Sequence, residues 1–216
     1  MEQLNYLQQL RYDLIKGFGM SVENAKKAFD FIIGENAQPI PDTKVKIVDG
    51  HGVFLLYEDG HVEPFNGKNS KDGAIAVVAK YGDLSVRLHP CDLTDVSMET
   101  SEEDKSLYLD WYDKAAEDFK GPATTKRLIE LGLKIDLPEG TYIPSAGELY
   151  LMYALKRKLD AALTYIGQEP FADEWYWSCS VRSATSAWYV HFYYGTLSSS
   201  YYTKTIETRV RPVSAF

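Results

Sequence analysis

Cysteine is scarce in this chain of 216 residues, and the two that occur, Cys91 and Cys179, lie far apart in the sequence. Two cysteines cannot build a disulfide scaffold or a zinc site of four thiolates, so packing must stabilise the fold. Basic residues are also outnumbered by acidic ones, 23 against 31. The resulting net charge of -8 offers no basic surface, and we therefore expect no nucleic acid partner.

Long apolar runs are missing as well. No stretch of about 18 apolar residues occurs, so we expect no insertion into a membrane. The first seven residues lack a basic segment followed by an apolar one, which predicts that no signal peptide is present. The expectation is synthesis in the cytoplasm, with incorporation into a phage particle as another destination. Composition does not choose between these localisations.

Residues 1–41 are predicted to form a helical segment and a linker ahead of a main domain at 42–216. Four leucines fall on one face of a first helix, and Ser21 can cap a second one. Pro39 and Pro41 mark the linker. The two helices could pack on the main domain or join copies of the chain into a homo-oligomer, and their apolar stripe does not decide between these alternatives.

The main domain has the pattern of an α+β fold with an antiparallel sheet and two or more helices. Short strands are predicted at 45–48, 53–57, 61–64, 74–79 and 84–88. Asp-Gly pairs at 49–50 and 59–60 predict hairpin turns. Helices are predicted at 104–119 and 124–131. A further helix should begin at the capping box of Ser145 and Glu148 and end at Gly167, with a break near 156–158.

Motifs for catalysis or metal binding are weak. The acidic segment 92–104 lacks the ligand spacing of an EF-hand loop and is typical of a solvated loop. His89 and Cys91 could act as a nucleophile or metal site only with further groups that the sequence does not identify. No phosphate-binding loop or nucleophile elbow occurs. We expect no enzymatic activity, no cofactor and no metal, and an enzyme of unrecognised type is the weakest alternative.

The C-terminal region is the most informative part of the sequence. No Asp, Glu, Lys or Arg occurs in the 21 residues from Ser183 to Thr203, which are rich in Tyr, Ser and Thr. Residues 187–195 alternate with a period of two. This alternation predicts that Trp188, Val190 and Phe192 face the core while Tyr189, His191 and Tyr193 face outward.

An exposed face of tyrosine, serine and histidine has the chemistry of a paratope. Tyrosine offers a large amphipathic contact area with few rotatable bonds, and serine offers adaptable hydrogen bonds. The same composition is also expected of an ordinary edge hairpin, because Tyr and Thr favour strands. The neighbouring pairs Tyr193-Tyr194 and Tyr201-Tyr202, in a surface without charge, favour the binding interpretation.

Several segments of the chain resemble the C-type-lectin-fold variable proteins of diversity-generating retroelements in phages and bacteria. The resemblance is most specific from residue 142 onward. It rests on Tyr-Ile-Pro-Ser-Ala-Gly-Glu-Leu at 142–149, Leu-Asp-Ala-Ala-Leu at 159–163, Tyr-Trp-Ser-Cys-Ser at 176–180, Ala-Trp-Tyr-Val-His-Phe at 187–192 and Arg-Val-Arg-Pro-Val-Ser-Ala-Phe at 209–216. Residues 53–60 are similar to the opening hairpin of the same family.

The resemblance implies a C-type-lectin-like fold with a variable region at about 176–216. In that family, mutagenic reverse transcription changes adenines, and AAY codons give rise to residues such as Tyr, Ser, Thr and His. The implied variable, ligand-binding positions are Tyr189, His191, Tyr193, Tyr194, Thr196, Ser198, Ser199, Ser200, Tyr201 and Tyr202, with Arg182, Thr185 and Ser186 as further candidates.

Departures from related families narrow the expected function. Calcium-dependent sugar-binding lectins carry Glu-Pro-Asn or Gln-Pro-Asp with Trp-Asn-Asp, whereas here Glu169-Pro170 precedes Phe171 and no Trp-Asn-Asp occurs. The resemblance therefore implies calcium-independent, non-catalytic binding of a protein or glycan on a cell surface, as in a receptor-binding or display protein of a phage or prophage. The alternative is an invariant structural or adhesion module with the same fold.

Overall fold

The computed structural model describes residues 51–81, 84–199 and 203–216. The expected N-terminal helical segment and the strand at 45–48 lie outside the described residues. Within them the chain is a mixed α+β fold of two five-stranded sheets and four α-helices, so the predicted fold class is confirmed at this level. No described helix has the length and apolarity that crossing a membrane requires.

The first sheet is antiparallel throughout, in the order β10-β4-β3-β1-β2. Its strands are Gly52–Tyr57 (β1), Val62–Pro64 (β2), Ala74–Tyr81 (β3), Leu84–Leu88 (β4) and Val213–Ala215 (β10). The predicted turn at 59–60 is confirmed, because the Tyr57 N–H donates to the His61 carbonyl at 3.0 Å and Gly60 adopts a φ of +84° between them. The last strand of the chain thus belongs to the same sheet as the first hairpin.

The second sheet carries the C-terminal region, in the order β5-β9-β6-β7-β8. Its strands are Leu93–Val96 (β5), Trp175–Val181 (β6), Ala187–His191 (β7), Thr196–Ser198 (β8) and Thr208–Val210 (β9). The β9 and β6 strands pair in parallel and all other neighbours are antiparallel. Because it pairs with β7 alone, β8 forms one edge of this sheet.

The helices are Tyr112–Ala116 (α1), Gly121–Glu130 (α2), Ala146–Ala154 (α3) and Lys156–Tyr165 (α4). The capping box at the start of α3 is confirmed, since the Glu148 carboxylate accepts from the Ser145 backbone N–H at 2.7 Å. The predicted break is present at Leu155, between α3 and α4. The helix predicted at 124–131 is present as α2, which begins at Gly121, a few residues earlier than expected.

The helix predicted at 104–119 was wrong for most of its length. Only a 3-10 turn at Lys105–Leu107 and the five-residue α1 form there. Between them, Tyr108 bridges to Val181 of β6 and the Leu109 N–H donates to the Val181 carbonyl at 2.8 Å. Hydrogen bonds to the second sheet therefore replace the intrahelical ones, and the chain becomes extended.

The second sheet is buried on both faces. On one side, α3 packs against β6 and β7, and Trp188, Val190 and Phe192 join the core that includes the first sheet. On the other side, Trp177 and Tyr189 belong to a separate apolar cluster that includes Leu128 of α2. This double burial leaves the outer edge of the sheet, rather than either face, as its accessible part.

Candidate ligand-binding edge

Two loops at opposite ends of β7 bring several of the predicted site residues to the protein surface. The loop at 182–186 joins β6 to β7, and the turn at 192–195 joins β7 to β8. Since β7 has five residues, the two loops lie about 13 Å apart at ~3.3 Å per residue. After the turn, β8 runs back along β7, with His191 opposite Thr196 and Tyr189 opposite Ser198.

The chain then returns to the first loop, where the Lys204 N–H donates to the Thr185 carbonyl at 2.9 Å. The described residues of the charge-free stretch, 183–199 and Thr203, therefore form one outer margin of the second sheet. We call this margin the candidate edge and define it as the loop at 182–186, the turn at 192–195 and β8.

The turn presents two adjacent tyrosines to solvent. Tyr193 is 62% exposed and Tyr194 is 70% exposed, and their ring centroids lie 4.7 Å apart in a T-shaped arrangement. The His191 ring contacts Tyr194 at 4.8 Å, and its Nδ1 accepts from the Tyr193 backbone N–H at 3.1 Å. These contacts hold the tyrosines in place, so that a ligand would meet a pre-ordered aromatic surface.

Gly195 makes this turn possible. Its φ of +68° lies in the left-handed region, and its N–H donates to the His191 carbonyl at 2.8 Å. A Cβ atom added here would lie 2.2 Å from the ring of Tyr153, which itself packs on Phe192. Both the backbone conformation and the close approach of the α3 helix therefore require glycine.

Trp175 supports the turn from below. Its ring meets His191 at 4.3 Å and Tyr189 at 4.7 Å, both edge to face. Burial lowers the pKa of His191, while the nearby carboxylates of Glu174 and Asp173 act in the opposite direction. Because Nδ1 accepts a hydrogen bond, the neutral form of the ring carries its proton on Nε2.

The structure sorts the predicted ligand-binding residues by exposure. The exposed ones are Arg182, Thr185, Tyr193, Tyr194 and Thr196. The half-buried ones are Ser186, His191 and Ser198. Two are buried, Tyr189 and Ser199. The remaining three, Ser200, Tyr201 and Tyr202, lie outside the described residues.

The expectation that Tyr189 is exposed was wrong. Its ring is fully buried between Trp175 and Trp177, in the cluster on the far side of the sheet. Alternation separated the two sides of β7 correctly, because Trp188, Val190 and Phe192 are buried together on the other side. The alternation of residues could not show that a second apolar cluster buries the Tyr189 side of β7 as well.

Ser199 was also expected at the surface and is buried. It follows Leu197 by two residues and shares its side of the chain, and Leu197 packs in the main core. Neither Tyr189 nor Ser199 can contact a ligand directly in this arrangement.

Sequence reasoning missed two aromatic residues beside the edge. Trp111 precedes α1, a helix that contacts β8, and is the most exposed large apolar side chain of the described residues. Trp111 directly follows Asp110 and lies two residues before Asp113, and these charged neighbours are the signal in the sequence that could have identified it as exposed. Trp175 carries no separate signal in the sequence, and its role follows from its pairing opposite His191 on β7.

His89, Cys91 and Asp92 are the neighbouring residues with catalytic potential, and they lie outside the candidate edge. The Cys91 sulfur lies 3.7 Å from His89 Nδ1, so the structure brings this pair together on the surface. The adjacent Asp92 carboxylate is bound by Tyr176 and by the fully buried Arg211, and it stabilises the fold. Across 51–81, 84–199 and 203–216, no three His, Cys, Asp or Glu side chains converge to hold a metal ion.

Comparisons with known proteins give one distant likeness. No family model matches the sequence, and no curated protein is similar to it. A solved structure of a fimbrial protein from Bacteroides ovatus ATCC 8483 resembles the chain with a TM-score of 0.56 and 16% sequence identity. The alignment covers 76% of this chain and 48% of the fimbrial chain, so the protein spans about half the length of that neighbour. At this identity the likeness concerns the fold alone.

Proposed function

We propose that this protein binds a ligand without catalysis, through the candidate edge, and that it is a C-type-lectin-fold variable protein of a diversity-generating retroelement. The observation that carries the binding function is the turn at 192–195, where Tyr193 and Tyr194 stand exposed side by side on a fixed support. Large exposed aromatic groups in a surface whose one charged residue is Arg182 are costly to leave in water and are typical of interaction sites.

The edge has the chemistry to bind a protein or a glycan. Tyrosine hydroxyls, the Nε2–H of His191 and the hydroxyl of Thr196 offer hydrogen bonds, while the two rings offer apolar area. Variation at these exposed positions would leave the core intact, which is what a diversified binding protein needs. The buried Tyr189 and Ser199 do not fit this pattern and are better read as scaffold.

The test of binding is a screen of the purified protein against arrays of glycans and of bacterial surface proteins. The matched variant is the double substitution Tyr193→Ala and Tyr194→Ala. A ligand held by the wild type and lost by the double variant would support the proposal. Ligands bound equally by both would place the binding site elsewhere on the molecule.

The retroelement is tested separately, in the genome. We expect a near-copy of the last hundred or so bases of the coding sequence, differing at adenines, beside a reverse transcriptase gene. The absence of this repeat would favour the second candidate, an invariant adhesion or structural module. The fold likeness to a fimbrial protein is the observation that favours this candidate.

A further inference from the structure

The first sheet buries apolar side chains on the face that points away from the main core. Phe54 and Leu56 of β1 and Ala76 and Val78 of β3 form a separate apolar cluster there, and each of the four is at most 6% exposed. Val62 of β2 packs against this cluster. We call the surface formed by these five residues the outer face.

The helix that packs on these strands lies on their opposite side. The α4 helix contacts β1 and β3, and its Leu159 and Leu163 belong to the main core together with Val53. Phe54 is the next residue along β1 and therefore points away from α4. Side chains stand perpendicular to a sheet, so neighbouring strands alone cannot remove their outer ends from water. Burial of the outer face requires a further layer of structure above it.

None of the described helices or loops contributes a residue to the cluster on the outer face. Three parts of the chain lie outside the described ranges, namely residues 1–50, 82–83 and 200–202. The second of these joins β3 to β4, and the third follows β8 in the other sheet. Because the cluster is buried within a single chain, residues 1–50 are the part that is long enough to cover it.

The position of β1 in the sheet favours the same segment. This strand pairs with β2 on one side and with β3 on the other, so the residues that precede Gly52 cannot continue the sheet beside it. One face of β1 is already occupied by α4. The outer face is therefore the side of β1 that remains for the chain ahead of it.

The sequence ahead of β1 has an apolar surface of matching size. Ala25, Ala28, Phe29 and Ile32 recur at helical spacing and predict one apolar stripe. A helix is about 10 Å wide, and β2 and β3, on either side of β1, lie ~10 Å apart. The linker at 37–51 can span about 50 Å at ~3.3 Å per residue, more than the width of a five-stranded sheet, about 20 Å. The stripe can thus reach the outer face.

The small size of the outer face disfavours a second copy of the chain as its cover. Pro64, opposite Phe54, and Arg87, opposite Val78, are both exposed and bound the apolar surface on its two sides. Five side chains are few beside the roughly 20 to 30 residues a side of a stable interface. A tethered segment needs less contact area, because a short linker holds it at an effective concentration of about the millimolar range.

We propose that residues 21–36 pack as an amphipathic helix on the outer face of the same chain, through the stripe of Ala25, Ala28, Phe29 and Ile32. This assignment decides between the two roles that the sequence leaves open for the N-terminal segment. The segment completes the fold of its own chain instead of joining copies into an oligomer. The inference does not depend on the proposed binding function, which concerns the second sheet.

The first test places a photoreactive group on the segment in the full chain. Phe29→p-benzoylphenylalanine is irradiated in an equal mixture of 15N-labelled and unlabelled protein, and cross-linked peptides are mapped by mass spectrometry. We expect cross-links to β1 or β3 that join peptides of one isotope composition. The matched control is Phe31→p-benzoylphenylalanine, on the opposite side of the predicted helix, which should not link to these strands.

Two results of this experiment would overturn the inference. Cross-links that join labelled to unlabelled peptides would assign the outer face to a second copy of the chain. Absence of cross-links from position 29 to β1 or β3 would show that another part of the chain covers the outer face.

A second test follows tryptic cleavage after Lys26 and Lys27. Val78→Lys places a charge in the outer face and should release the segment, which raises the rate of this cleavage about tenfold or more. Ile75→Lys makes the same change at an exposed position of the same strand and should leave the rate unchanged. Equal rates in Val78→Lys and the wild type would contradict the docking, as would an equal increase in both variants, which would indicate a loss of global stability.

Discussion

Tyrosines of the C-terminal region serve two different purposes, and burial separates them. Tyr189 fills the cluster beneath the second sheet, whereas Tyr193 contributes mainly surface. We expect Tyr189→Ala to lower the free energy of unfolding by about 3 to 5 kcal/mol, as removal of a buried aromatic ring does. Tyr193→Ala should change it by less than about 0.5 kcal/mol. Urea denaturation of both variants measures the difference, and equal costs would show that the assignment of one ring is wrong.

Glu148 is a buried carboxyl whose environment should be visible in the pH dependence of stability. Burial raises its pKa above the ordinary value of 4.5, although Ser145 and Tyr142 donate hydrogen bonds to it. The folded state therefore binds its proton more tightly than the unfolded state does. The stability that this proton provides is present at low pH and is lost as the pH rises through the raised pKa.

The isosteric variant Glu148→Gln lacks this titration. The free energy of unfolding of the wild type minus that of Glu148→Gln should therefore decrease between about pH 4.5 and pH 7.5. Denaturation of both proteins in urea at the two pH values gives this difference. An increase with pH would mean that the pKa is lowered, and that the hydrogen bonds outweigh burial.

At the scale of single elements, the turn at 192–195 depends on one glycine. Gly195→Ala should destabilise the protein by about 1 to 2 kcal/mol because of its left-handed backbone, with a further cost from the clash with Tyr153. The control is Gly140→Ala, at a positive φ with open space around it, which should show the backbone cost alone. Thermal unfolding of both variants tests this, and equal losses would show that the Tyr153 contact does not constrain the turn.

Elements with local signals were predictable from the sequence, and those with long-range causes were not. The hairpin at 59–60 and the capping box at Ser145 were found because a turn residue and a cap act within a few positions. The 104–119 segment failed because its backbone pairs with Val181, more than 70 residues away. Likewise, the exposure of Tyr193 and Tyr194 was predictable, whereas the burial of Tyr189 depends on a cluster assembled from distant segments.

At the scale of the whole molecule, the C-terminal segment joins the two sheets. The β9 strand belongs to the second sheet, and β10 pairs with β4 in the first. Between them, Arg211 is fully buried, stacks on Phe171 and pairs with Asp92. The scaffold is thus tied together immediately after the candidate edge, so the edge residues can change without loss of the connection between sheets.

Binding by this molecule should be independent of divalent metal and should depend on the tyrosine turn. No calcium-dependent sugar motif is present in the sequence, and the binding proposed at the edge would draw its affinity from apolar contact and hydrogen bonds. Once the screen has identified a ligand, its Kd should be the same with and without EDTA at ~1 mM, a large excess over trace metal.

Tyr193→Ala and Tyr194→Ala should each weaken binding by about 2 kcal/mol, close to thirtyfold. Ile129→Ala, an exposed apolar residue on α2, is the control and should bind normally. Loss of binding in EDTA would indicate a metal-dependent lectin, and full affinity in both tyrosine variants would move the site away from the edge.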